Sequence, residues 1–338
     1  MLSNFHYFIE KVQDSHNQYL EIFTPENMAK VLAVFGATGI QGGSVINHVL
    51  NDLELSQNYE IRAITRDVNS EKAKQLKEKV NVVEGDVLNP ATLETALAGA
   101  HTVFAMTTPS FGPDAVEVEY NNAKAIADVA VQKGAAYVIF STLPSVIEIS
   151  NGKYTHVTPF DAKAMAEKYI RGLAIKSAFV SYGFFMENFQ SQPFLAPQKA
   201  PGGTWVLSRH ISSNNKIPYI NAVGDAGKFI GAILAEPDKY EGKTFCAAAA
   251  LYSFEEIVTL LSKATGKIVV FKQISLDDFT KSLPFAPALF ADGMSYMEEF
   301  GGYFGPDTEK LVAWAAENAR GRLTTLEEYL EEHSLQLV

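Results

Sequence analysis

Residues 31–43, VLAVFGATGIQGG, constrain this chain more than any other stretch. Residues 31–35 are an apolar run of strand length, Gly36, Gly39 and Gly42 follow, and residues 44–50 read as helix. Such a strand–turn–helix bends where a side chain would clash. It also leaves unspent N–H groups and the positive end of a helix dipole facing an anion such as a pyrophosphate. The spacing is Gly-x-x-Gly-x-x-Gly rather than Gly-x-Gly-x-x-Gly. A glycine triplet can also serve packing alone, so its weight depends on the sequence around it.

That context is an unbroken alternation. Further strands are expected at 59–65, 80–84, 101–106, 136–140 and 177–182, with helices at 70–79, 90–98, 116–133 and 160–172. The pattern predicts an α/β fold with a parallel, doubly wound sheet, whose ligands bind beyond the carboxyl ends of the strands. Residues at those ends form the candidate site. They are Arg66, Asn69 and Ser70 after the second strand and Asp86 and Val87 after the third. Thr107, Thr108 and Pro109 follow the fourth, and Phe185, Met186, Glu187 and Asn188 the sixth. An acid at position 66 would bind the 2′-hydroxyl of NAD, whereas Arg66 can pair with the 2′-phosphate of NADP. Asp67 would oppose that phosphate if it pointed inward. The aromatic loop 183–188 is expected to floor the nicotinamide.

Past residue 190 the pattern changes. Pro193, Pro197, Pro201 and Gly202-Gly203 interrupt it. Short strands are expected at 205–207, 217–220, 244–251 and 268–273, and helices at 223–235, 257–264 and 294–300. Ser253 with Glu256 and Thr325 with Glu328 have capping-box spacing. The expected division is an extension at 1–29, a nucleotide-binding domain at 30–190, and a smaller α/β lobe at 191–338 interleaved with the sheet and laid over the crevice.

Composition narrows the function. A net charge of −11 and the absence of any Lys/Arg cluster exclude direct nucleic-acid binding. The single cysteine, Cys246, allows no intramolecular disulfide and reads as packing. The seven histidines are scattered, so no metal site is expected. Residues 1–29 lack the apolar core of a secretory signal, and no stretch is apolar enough to span a membrane. A cytoplasmic protein is expected, with the nucleus left open.

Taken in order, several segments resemble the NmrA-like proteins, a group of atypical short-chain dehydrogenase/reductases, over residues 30–335. They are Gly36-Ala37-Thr38-Gly39-Ile40-Gln41-Gly42-Gly43, Thr65-Arg66, Gly85-Asp86, Phe160-Asp161-Ala162-Lys163, Met186-Glu187-Asn188 and Pro197-Gln198-Lys199-Ala200-Pro201. The resemblance is to the NADPH-sensor type and the fungal nitrogen-repression regulators. It implies a Rossmann domain binding NADP or NADPH through residues 36–41, 66–70, Asp86, Val87, Thr107 to Pro109, Asn121, Lys163 and Phe185 to Asn188. It also implies a regulatory partner protein such as a transcription factor, and leaves a homodimer open.

Active short-chain dehydrogenases use Tyr-x-x-x-Lys, in which the ammonium lowers the tyrosine pKa. Here Pro159 stands four residues before Lys163, Tyr154 is nine before it, and Tyr169 lies after it. Lys163 therefore lacks the tyrosine of that catalytic pair. One reading, preferred on the sequence, is a redox sensor or transcriptional co-regulator that binds NADP(H) without turning it over. The other is an NADPH-dependent reductase in which Lys163 handles the proton alone, because Phe160-x-x-Lys163 also resembles the lysine motif of isoflavone-reductase-like enzymes. A structural adaptor with an empty crevice is the third, and the glycine turn argues against it. Aromatics including Phe279, Phe285, Phe290, Tyr296 and Tyr303 suit a substrate pocket or a partner surface, though most should be core.

Overall fold

The computed structural model describes residues 29–333 and 335–337. The expected N-terminal extension, apart from Ala29, lies outside them. Strands β1 (Lys30–Val34), β2 (Tyr59–Thr65), β3 (Asn81–Glu84), β4 (Thr102–Ala105), β5 (Tyr137–Thr142) and β6 (Lys176–Tyr182) alternate with helices as expected. With β11 (Thr244–Ala247) they all pair in parallel in one seven-stranded sheet of order β11-β6-β5-β4-β1-β2-β3. The order reverses between β1 and β4, which opens a crevice at their carboxyl ends. Helices Pro90–Leu97, Ala115–Gln132 and Thr158–Arg171 cover one face, burying Leu93, Ile126, Phe140 and Phe179. Helices Ile40–Asn51 and Ala222–Ala235 cover the other, around Leu32, Val45, Phe104 and Phe229.

The second half of the chain is woven into the first. β7 (Phe184–Phe185), β10 (Lys216–Ile220) and β12 (Ala250–Ser253) form one three-stranded sheet. β8 (Gln198–Lys199), β9 (Trp205–Arg209) and β13 (Val269–Gln273) form another. The strand expected at 244–251 is two strands. β11 (Thr244–Ala247) is the seventh strand of the main sheet, and the chain then changes sheet at Ala248-Ala249 to make β12. Nothing in the run Ala247 to Ala250 signals that switch, because four alanines suit either sheet.

Helix Ala222–Ala235 holds the helix that follows the glycine turn. The Gly227 N–H donates to Ser44 Oγ at 2.9 Å, and a Cβ on Gly227 would stand 2.3 Å from the Ser44 carbonyl oxygen. Gly227→Val should therefore force the helices apart and cost about 1–3 kcal/mol. Thermal unfolding of the variant checks this, and the midpoint should fall.

Candidate nucleotide site and adjoining cavity

The helix after the turn begins at Ile40, not at Ser44, so Gly42 and Gly43 lie inside it. Packing explains the glycine: a Cβ on Gly42 would lie 2.4 Å from the Gly36 carbonyl oxygen and 2.8 Å from that of Phe35. Gly36 itself adopts φ +63°, which L side chains rarely take. No side chain caps the helix at Gly39, and its first turn holds no acid. Its N–H groups and dipole are thus left to a ligand.

This N-terminus opens on a crevice of about 430 Å³. Gly36, Thr38, Gly39, Ile40 and Gln41 line it from the turn, Thr65, Arg66, Asp67 and Ser70 from the end of β2, Gly85 and Val87 after β3, and Met106, Thr107 and Thr108 after β4. The residues fit a phosphorylated dinucleotide. An uncapped helix end faces the pyrophosphate position, the exposed Arg66 guanidinium lies on the wall past β2, and buried Gln41 Oε1 has no partner. Asp67 lines the crevice too, but its Oδ1 accepts the Asn69 N–H at 2.8 Å within its own turn.

Several candidates sit elsewhere. Ala37 and Gly42 are buried behind the turn that they build. Asn69 is exposed outside the crevice lining, whereas Ser70 lines the crevice while its hydroxyl also caps the next helix by accepting the Ala73 N–H. The Asp86 carboxylate accepts the Leu88 N–H at 3.0 Å, so Val87 alone of that pair lines the crevice. Asn121 is exposed, and its neighbour Asn122, on the same helix face as Ile126, takes the place at the crevice. The segment read as the loop 183–188 contains β7, paired with β10. Its alternation sends Met186 into the lobe's core at 0% exposure. The Glu187 carboxylate accepts the Ala222 and Val223 N–H groups at 3.2 and 2.7 Å, capping helix Ala222–Ala235 rather than facing a nicotinamide. Phe185 and Asn188 line a second cavity, as does Pro109.

Lys163 is buried at 6% exposure and its ammonium is fully engaged. Nζ donates to the Thr107 carbonyl at 3.0 Å, to Thr107 Oγ1 at 2.8 Å, and to Glu119 Oε1. Thr107 Oγ1 in turn donates to Glu119 Oε1 at 2.8 Å. An ammonium has three protons, and here three acceptors take them. Burial pushes the Lys163 pKa below the usual lysine range, while Glu119 pulls the other way. This arrangement clamps the loop after β4 to the helix Thr158–Arg171. It leaves no proton of Lys163 for a substrate unless a contact breaks. Lys168, five residues on, points to solvent as its spacing predicts.

The second cavity, of about 370 Å³, adjoins the crevice and shares Gln41, Met106 and Thr107 with it. Phe160, Phe184, Phe185, Phe290, Tyr296 and Tyr303 wall it, with Met106, Met294 and Met297. Among the described residues no carboxylate lines it, and its single cation, Lys163, is neutralised by Glu119.

The family model for the NmrA-like family matches residues 28–330. The chain belongs to the NmrA-like family. An NmrA-like family domain-containing protein of Dictyostelium discoideum is 28% identical over 92% of this chain and 100% of its own length. The NmrA-like family domain-containing oxidoreductase lnaB of Aspergillus flavus is 26% identical over 83% of this chain and 87% of its own. The crystal structure of NmrA, a negative transcriptional regulator, in complex with NADP superposes with a TM-score of 0.74 at 24% identity, over 90% of this chain and 95% of that one. At that identity the likeness establishes the fold.

Sequence reading missed two features of this NmrA-like site. Glu119 carries a usable signal: it lies in phase with Ala123, Ile126, Ala127 and Ala130 on the buried face of its helix, where a lone carboxylate needs a partner. The second is the early start of helix Pro287–Glu299, seven residues before the helix expected at 294–300; it supplies Leu289, Phe290, Met294 and Met297 to the cavity, of which Phe290 is among the expected pocket aromatics. Cys246 is buried, and burial pushes its thiol up to about 12. Among the described residues no His/Cys/Asp/Glu group could hold a metal, and no helix is long and apolar enough to cross a membrane.

Proposed function

We propose that this NmrA-like protein is an NADP(H)-dependent oxidoreductase acting on an uncharged, predominantly apolar substrate. The observation that carries the reading is the apolar cavity joined to the nucleotide crevice through Gln41, Met106 and Thr107. The name of the Aspergillus flavus relative supports the same reading, and the NADP held by the structurally similar NmrA supports the cofactor.

Bound NADPH would supply the hydride. The chain's own residues divide the remaining work. The turn at Gly36 and Gly39 and the helix N-terminus hold the pyrophosphate. Arg66 pairs with the 2′-phosphate. Lys163 and Glu119 fix Thr107, and with it the loop that runs along the cofactor. The aromatic and methionine walls exclude water and accept an apolar ring.

A second reading, a redox sensor or co-regulator meeting a protein partner, has one observation in its favour: Lys163 has Pro159, not a tyrosine, four residues before it, and its protons are spent. Calorimetric titration with NADP, NADPH, NAD and NADH, followed by NADPH consumption with a panel of uncharged aromatic ketones and quinones, separates the two. Preferential binding of the phosphorylated forms with turnover supports the oxidoreductase. Tight binding that distinguishes NADP from NADPH without any turnover supports the sensor, because only differential affinity shifts a conformational equilibrium. Failure to bind any dinucleotide contradicts both.

A further inference from the structure

Tyr303 presents an unspent phenol hydroxyl to the cavity. It belongs to the segment Gly301-Gly302-Tyr303-Phe304-Gly305, in which all three glycines have positive φ, at 84°, 121° and 89°. A Cβ on Gly301 would stand 2.6 Å from Pro306 Cα, and one on Gly302 would stand 2.7 Å from Thr308 Oγ1. The turn is held from within, since Thr308 Oγ1 accepts the Phe304 N–H at 2.9 Å and donates to the Gly305 carbonyl at 2.6 Å. It delivers the Tyr303 ring edge-on against Phe160 and Phe184, each with centroids 5.2 Å away. The ring lines the cavity at 8% exposure, and its hydroxyl has no hydrogen-bond partner among the described residues.

The competing hydroxyls are spent, sealed or weaker. Thr107 donates to Glu119, Thr142 to the Lys163 carbonyl, and Tyr182 to the Ala226 carbonyl. The Tyr296 oxygen is buried out of reach. Ser141 also lines the cavity, but an aliphatic alcohol is a poorer acid than a phenol. Burial pushes the Tyr303 hydroxyl above the usual phenol range, so it stays protonated and donates.

We propose that Tyr303 binds a carbonyl oxygen of the substrate and protonates it, so that the C-terminal lobe supplies the tyrosine that the Tyr-x-x-x-Lys position lacks; this rests on the oxidoreductase reading. The substrate class is then an uncharged aromatic ketone or enone. The carbonyl carbon gains a hydride from the reduced nicotinamide, the C=O π pair moves to oxygen, and that oxygen takes the Tyr303 proton. Solvent reprotonates the phenolate, so one NADPH and one proton are consumed for each carbonyl reduced.

The test compares the wild type, Tyr303→Phe and Ser141→Ala, each saturated with NADP, for calorimetric binding of benzophenone and of diphenylmethane, which keeps both rings and lacks the carbonyl. Tyr303→Phe should weaken benzophenone about 2- to 10-fold, the size of one hydrogen bond, and leave diphenylmethane and the melting temperature unchanged. Ser141→Ala should change neither. With NADPH, ketone reduction should fall about 100-fold or more in Tyr303→Phe. Equal benzophenone binding in the wild type and Tyr303→Phe, a loss carried by Ser141→Ala instead, or no binding of either probe overturns the proposal. Ketone turnover unaffected by Tyr303→Phe overturns it and leaves the oxidoreductase reading intact. Selective loss of benzophenone binding in a protein that reduces nothing removes the oxidoreductase reading and keeps Tyr303 as the carbonyl anchor.

Discussion

Glu119→Ala should lower stability by about 3–5 kcal/mol, because it strands a buried ammonium without its carboxylate. Glu119 is 2% exposed and Lys163 6%, so neither charge can turn to water without opening the loop after β4. The loss should depend on pH with a definite sign. The Lys163 pKa in the fold already lies below the ordinary lysine value of 10.5. Between that depressed value and 10.5 the unfolded chain binds more protons than the folded one, so this lysine's contribution makes stability rise with pH. Removing Glu119 removes the pull that opposes burial. The depressed value falls further and the window widens toward neutral pH. Thermal melts of the wild type and Glu119→Ala from neutral pH to about the lysine range should therefore converge as pH rises. Curves that stay parallel would show that the ion pair contributes little beyond packing.

Arg66→Ala should weaken NADP and NADPH by about 10- to 100-fold and leave NAD and NADH almost unchanged, since charge-assisted hydrogen bonds to a phosphate contribute about 1.5–3 kcal/mol. Arg66 is exposed at the end of β2 on the crevice wall. High salt should reduce the wild-type preference as well, because an exposed guanidinium–phosphate pair is screened. Titrations of both proteins at low and high salt measure this. An unchanged ratio of NADP to NAD affinity in the variant would assign the 2′-phosphate to another group.

The repeating part of the fold was legible because each signal was local. β2 runs from Tyr59 to Thr65 as its apolar alternation predicts, and both capping boxes, Ser253 with Glu256 and Thr325 with Glu328, form in full. The glycine turn was legible as chemistry but not as a boundary. Gly42 and Gly43 look like helix breakers, yet they lie in the helix because the Gly36 carbonyl presses on its first turn. The aromatic loop after β6 misled for a different reason. Whether Met186 and Glu187 face a ligand depends on β7 pairing with β10, a contact between segments more than thirty residues apart. The same holds for Tyr303, whose placement follows from a turn closed by Thr308 and Pro306 and not from any helical or strand period. The Lys163 motif was visible, but its role was not. The acceptors that spend its protons come from Thr107 and Glu119, 56 and 44 residues away.

Met106 lines both the nucleotide crevice and the apolar cavity, so in the proposed function the nicotinamide end of a bound NADP meets the cavity there. The most direct measurement is methyl NMR of the protein labelled at methionine, titrated with NADP. The nicotinamide ring protons should give nuclear Overhauser contacts to the Met106 methyl, with shifts at Met294 and Met297 across the cavity. NADP that binds without any contact to Met106 would place the reactive ring outside the chamber and contradict the proposed oxidoreductase function.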